Sequence, residues 1–161
     1  MSNLKNVNLQ VAQFALGKVK EVLEYYKKDI LKCNEDEKKE LEKKQKLLCD
    51  KYKTLSKKMT VLIQKNGLIG TLVFVLSKVK KEQANEFVLE NIVKWCEEDY
   101  KLEFLKDKLR VDKENANEVF IEKITKLSNQ EYRLVTKEIM NLFGWIKRFT
   151  DGMIEGEVQN D

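Results

Sequence analysis

The chain has 161 residues, 42% hydrophobic and 36% charged, with six glycines and no proline. That is one domain's worth of sequence, too apolar for disorder and without the turn punctuation of sandwich and barrel folds. It contains no histidine, which removes Ser–His and Cys–His nucleophile pairs, histidine general bases and histidine metal ligands together.

The formal net charge of +4 is unevenly placed: residues 1–66 hold 16 basic and 9 acidic side chains, 67–115 hold 9 and 10, and 116–161 hold 6 and 8. Residues 43–66 alone carry eight lysines against one acid, Asp50. Such a block is an electrostatic footprint for a polyanion. It is also what a solvated helix face looks like in a chain where 28 of 31 basic residues are lysine.

The first helix is expected over residues 3–31, with apolar residues at Val7, Val11, Phe14, Ala15, Val19, Val22, Tyr26 and Ile30 in steps of three and four. Asn34 followed by Glu35-Asp36-Glu37 reads as a cap and an acidic first turn. From there Leu41, Leu48, Tyr52, Leu55, Met59 and Leu62 form a heptad-like stripe. Lys44, Lys51 and Lys58 recur every seven residues on one side of it, and Lys46, Lys53 and Lys57 on the other. Asn66-Gly67 suits a helix terminus in the left-handed region. Residues 68–81, apolar nearly all round, predict a helix at the centre of the bundle, since no other strand candidate exists to pair with them. Residues 83–100 form a further helix with Val88, Leu89, Ile92, Val93, Trp95, Cys96 and Tyr100 on its apolar side.

Residues 101–115 are charged and weakly periodic, and read as a connection holding at most one helical turn. A short helix over 117–127 follows, buried through Val119, Phe120, Ile124 and Leu127. Ser128 or Asn129 then caps the last helix, with Glu131 placed for a capping box. That helix carries the cleanest stripe: Tyr132, Val135, Ile139, Leu142, Phe143, Ile146, Phe149 and Met153. The expected architecture is all-α, a compact single-domain bundle of about five or six helices over residues 1–152, with 153–161 a frayed acidic tail.

The start of the chain has no apolar signal stretch, and the longest unbroken apolar run, Leu72–Leu76, is far short of the ~18 residues of a membrane span. A cytoplasmic chain with no membrane contact is expected. Cys33, Cys49 and Cys96 form no C-x-x-C pair and read as reduced thiols, the last two at or near apolar faces. Glu97-Glu98-Asp99 cannot converge on one metal, because neighbouring helical residues point about 100° apart. Gly67 and Gly70 lack the sequence of a phosphate loop. No enzyme, cofactor, metal or small-molecule substrate is therefore expected, and binding remains. Phe74, Phe143 and Phe149 fall on apolar faces and read as core, while Trp145 lies one residue off its stripe and borders a surface.

Two segments, YKTLSKKMTVLIQKNGLIGTLVFVLSK from Tyr52 to Lys78 and EYRLVTKEIMNLFGWIKRF from Glu131 to Phe149, together resemble the small helical subunit of the Cmr complex, the type III-B CRISPR RNA-guided effector. That family shows a tyrosine-led basic helix, an Asn-Gly-Leu step into an apolar helix, and a C-terminal Y-R…W-[IL]-K-R-F helix. The corresponding positions are Tyr52, Asn66, Gly67, Leu68, Phe74, Tyr132, Arg133, Trp145, Lys147, Arg148 and Phe149. Thr60 stands where a proline is common, which leaves open whether the basic helix breaks near residue 59 or runs on to Gln64.

The resemblance implies a non-catalytic scaffold in antiviral defence. Copies of it stack head to tail beside other Cmr subunits, along the guide RNA–target RNA duplex, and stabilise target RNA. Head-to-tail contact is heterologous and needs two different patches, for which the basic first part and the acidic last part of the chain offer complementary potentials. RNA contact is expected at Lys57, Lys58, Lys65, Lys147 and Arg148, with Arg133 and Lys137 further candidates, because these residues flank buried stripes on rigid helices. For Arg133 the competing expectation is an intrahelical ion pair with Glu138 or in the turn of Glu131. The alternative for the whole chain is a helical protein-interaction or regulatory module without nucleic-acid contact, which leaves the lysine block unexplained.

Overall fold

The computed structural model describes residues 2–112 and 114–155, with side chains from Leu9 onward. Val7 and residues 156–161 of the acidic tail lie outside the described side chains. Helix α1 (Ser2–Leu23) buries Val11, Ala15, Val19 and Val22, as its periodicity requires. It does not continue to Leu31. Glu24–Tyr26 turn, and a separate short helix α2 (Lys27–Lys32) follows.

The reason is a side chain from elsewhere. In an unbroken helix the Tyr26 N–H would donate to the Val22 carbonyl. Here Gln45 takes both groups: its Nε2 donates to Val22 O at 2.7 Å, and its Oε1 accepts from the Tyr26 N–H at 2.9 Å. One amide thus replaces one backbone hydrogen bond and leaves no orphan.

Helix α3 (Glu35–Ser77) starts as expected, with the Asn34 side chain accepting from the Glu37 N–H at 3.0 Å. It passes Met59 and Thr60 without a break and is interrupted only at Gly67, whose φ of 73° and ψ of 169° belong almost exclusively to glycine. The terminus at Gly67 is as predicted, but its ψ is extended rather than left-handed helical. The amides of the helix that restarts at Leu68 need an acceptor that glycine cannot supply. Tyr132 provides it, its phenolic oxygen accepting from the Ile69 N–H at 3.2 Å.

The bend is sharp. Lys51 pairs with Glu82 at 2.5 Å, and Asn85, one turn beyond Glu82, donates to the Val75 carbonyl at 3.1 Å. Residues 51 and 75 would stand about 36 Å apart on a straight helix, so residues 68–77 must turn back toward the first part of α3. They are also not the central helix expected of them. Leu68, Leu72 and Val75 are buried, but Val73 is 50% and Phe74 43% exposed, and Lys78 sits over the Phe74 ring at 4.7 Å. An 18-residue window of α3 reaches mean hydropathy 1.6, enough by length and composition for a membrane span. Every such window includes the break at Gly67, where the helical ladder a span relies on is interrupted.

Helix α4 (Gln83–Glu98) returns antiparallel to α1: Gln10 bonds the Glu98 carbonyl at 2.9 Å, the Phe14 and Trp95 rings lie 4.9 Å apart, and Tyr25 meets Phe87 edge-on at 5.2 Å. Residues expected as a connection with at most one helical turn are mostly ordered helix, a 3-10 segment Tyr100–Leu105 and helix α5 (Lys106–Leu109), pinned by buried Leu102, Leu105 and Leu109. Tyr100, expected on the apolar side of the preceding helix, lies beyond its end and is exposed. Their period of three to four is short-lived and hidden among charges. Helix α6 (Ala116–Thr125) buries Phe120 and Ile124. Helix α7 (Asn129–Met153) opens with the predicted capping box, Ser128 Oγ accepting from Glu131 N–H and Glu131 from Ser128 N–H. No strand occurs among the described residues.

Gln45→Ala removes the partner of two part-buried backbone groups and is expected to destabilise the chain by about 1–3 kcal/mol in chemical denaturation. Tyr132→Phe, which deletes only the oxygen, is expected to cost about 1 kcal/mol.

Candidate nucleic-acid interface

On α3 one face is buried, through Leu48, Cys49, Tyr52, Ser56, Met59 and Ile63. Tyr52 is sealed in the core, where its hydroxyl accepts from Asn91 Nδ2 at 2.6 Å and burial pushes its pKa well up. The lysines on the two flanks meet different neighbours. Lys51 reaches α4 through Glu82. Lys53 donates to the Ile154 carbonyl at 2.9 Å and Lys57 pairs with Asp151 at 2.8 Å, so both hold the end of α7. Lys43, Lys44, Lys46, Lys58 and Lys65 are exposed, with no carboxylate within 4 Å among the described residues.

Helix α7 lies antiparallel to α3, tied at one end by Lys57–Asp151 and at the other by Tyr132. It buries Val135, Ile139, Leu142 and Ile146 and turns Arg133, Lys137, Lys147 and Arg148 outward. From Arg133 to Arg148 this basic stripe runs about 22 Å along the helix axis. Gly144 lies within it and leaves open space where a Cβ would stand. The Arg148 guanidinium lies 4.8 Å over the Trp145 ring, which stacks on Phe149 at 6.0 Å. Trp145 is half-buried, the border position expected of it, whereas Phe149 is only partly buried and Phe143 is core.

Arg133 forms neither of the ion pairs foreseen for it. Glu131 is taken by Lys108 at 2.7 Å, which with the Ser128 amide holds its carboxyl below the usual carboxylate range. Glu138 is buried and is approached by Lys101 at 3.6 Å.

All seven residues expected at RNA are exposed. Lys57 reaches the rim of the α7 stripe, while Lys58 and Lys65, nearly in line with each other, lie about 100° and 80° further round α3. The structure therefore groups Lys57 with Arg133, Lys137, Lys147 and Arg148, and leaves Lys58 and Lys65 on a second flank. Lys43, Lys44 and Lys46 belong to the same exposed set; in the sequence Lys44 shares the seven-residue recurrence of Lys58, Lys46 shares the flank of Lys53 and Lys57, and Lys43 is marked only by its place in the lysine block. The three cysteines are free, and Cys49 and Cys96 are buried. No group of three or more cysteine, aspartate or glutamate side chains that could hold a metal ion occurs among the described residues.

A family model described as CRISPR-associated protein (Cas_Cmr5) matches residues 7–153, nearly the whole chain. The chain belongs to the Cmr5 family. No curated protein matches it. As a Cmr5-family chain it is a subunit of the type III-B CRISPR Cmr complex and associates with other Cmr subunits. The match spans both segments on which the resemblance rests and joins them through α4, α5 and α6, where the sequence offers only helical content.

Because the Lys57–Asp151 pair is solvent-exposed on both sides, Asp151→Asn is expected to change the stability of this Cmr5-family chain by no more than about 1 kcal/mol in denaturant titration.

Proposed function

We propose that this chain is a non-catalytic scaffold of the Cmr complex that lies along the guide RNA–target RNA duplex, stacks with further copies of itself and steadies target RNA in antiviral defence. The observation that carries the reading is the α7 stripe. Its four cations have no carboxylate partners among the described residues, and they stand on a helix whose other side is packed in the core. A polyanion needs cations at intervals on a rigid base and little more for sequence-independent contact. Lys58 and Lys65 offer a second, smaller set, and Lys57 joins the first when Asp151 is displaced.

The absence of histidine, and so of any histidine base or metal ligand, supports a subunit that binds and leaves chemistry to others. Free buried cysteines fit a reducing compartment, in keeping with a cytoplasmic location. Each subunit need hold RNA only weakly, since several copies fixed in one assembly raise the effective concentration of every contact. The acidic last part of one copy facing the basic first part of the next supplies complementary potentials for a non-closing stack. The competing reading, an interaction module without RNA contact, finds support in the exposed Tyr100 and Phe104 on the 3-10 segment but leaves the α7 stripe without a role.

Replacing Arg133, Lys137, Lys147 and Arg148 by alanine is expected to weaken single-stranded RNA binding for all sequences alike. The slope of log affinity against log salt, read by fluorescence anisotropy, should shrink by about 0.7 for each phosphate that is no longer neutralised. Unchanged affinity and slope would remove α7 from the RNA face. Reversing charge at the exposed Glu118, Glu122 and Glu155 is expected to lower the number of copies per reconstituted complex, counted by native mass spectrometry. An unaltered number would sink the electrostatic account of stacking.

A further inference from the structure

Two carboxyl side chains are buried together where the basic and apolar patterns give no reason for either. Asp99, at the corner between α4 and the 3-10 segment, is 0% exposed, and Glu138, midway along α7, is 2% exposed. Asp99 Oδ1 accepts from the Lys101 N–H at 3.0 Å, and Lys101 Nζ lies 3.6 Å from Glu138 Oε1. The second oxygen of each, Asp99 Oδ2 and Glu138 Oε2, has no donor among the described residues. Lys101 thus links the two carboxyls, its amide on Asp99 and its ammonium beside Glu138.

Two ionised carboxylates buried side by side repel, and a single ammonium cannot neutralise both. A proton held between them satisfies both orphaned oxygens at once, one carboxyl donating and the other accepting. We propose that Asp99 and Glu138 share one proton in the folded chain and so form an acid-held clasp that fastens the α4 corner to α7.

The surroundings leave little else to do this work. Lys101 of the 3-10 segment is the cation that approaches the pair, while Lys106 and Lys108 of α5 are engaged by Glu103 and Glu131. Helix α4 adds the negative Glu97 and the Cys96 thiol, which burial keeps neutral, and α1 adds the neutral amide of Gln10, bonded to the Glu98 carbonyl. Burial, with Glu138 beside it, pushes the Asp99 carboxyl from its ordinary 3.8 up to about 7. Between those two values the folded chain holds a proton that the unfolded chain has released. Stability therefore falls as pH rises through this window and levels off above it, the reverse of what exposed salt-bridged carboxylates produce.

The composition makes the test clean. With no histidine, the α-amino group is the other ordinary titrating group near neutrality, and the cysteine thiols enter only toward about pH 8.5. Thermal unfolding of the full chain is expected to show Tm falling by about 4–8 °C between about pH 5.5 and pH 7.5. Asp99→Asn keeps the acceptor for the Lys101 amide and puts a fixed N–H where the proton sits, so its Tm should lose this slope, as should that of Glu138→Gln. Infrared difference spectra should show a protonated carboxyl in the folded wild type near pH 6 that is missing from Asp99→Asn. A wild-type Tm that does not fall, variants that keep the full slope, or no protonated carboxyl band would each overturn the proposal.

Discussion

A helix of 43 residues drawn straight is about 64 Å long, while a compact domain of this size is about 40 Å across. The main helix of this protein therefore cannot run its length inside the fold, and the rest of the structure is arranged around how it bends. Gly67 allows the bend, because its dihedral angles are closed to other residues, and Tyr132 satisfies the amide that the restart exposes. The bend brings α4 against both parts of α3, while α7 packs along both α3 and α1, and together these pairings decide which lysines are covered.

The stretches legible in the sequence are those whose order is local. The Asn34 cap, the Ser128–Glu131 box, the apolar face of α7 and the terminus at Gly67 each follow from residues spaced a turn or less apart. What is not legible depends on partners distant in sequence. The break in the first helix comes from Gln45, nineteen residues beyond Tyr26, and no propensity marks Tyr26 as a turn. Residues 68–77 look central because almost all are apolar, but the direction of the bend decides that Val73 and Phe74 face outward. In residues 101–109 a few leucines bury themselves among charges, so the periodicity of the whole segment stays weak.

The candidate interface is legible as composition but not as grouping. A run of eight lysines announces a basic surface, but the run cannot say that Lys51, Lys53 and Lys57 are engaged in holding helices together. Nor does it say that the four cations of α7, sparser in sequence, line up on one side without carboxylate partners among the described residues. Glu138 shows the converse. By spacing it belongs to the buried side of α7, and by type it belongs in solvent; its surroundings, Lys101 and Asp99, come from a segment some forty residues upstream that the spacing does not reveal.

The phenol that caps the second part of α3 lies 63 residues downstream of the amide it accepts from. A chain made from its N-terminus toward its C-terminus completes the whole of α3 and α4 before Tyr132 is added. Until then the restart at Leu68 lacks the acceptor for its Ile69 amide, and the bend is held by the contacts of α4 alone. The capped geometry, and with it the final separation of covered from displayed lysines, is thus acquired only when the last helix has been synthesised and laid in place.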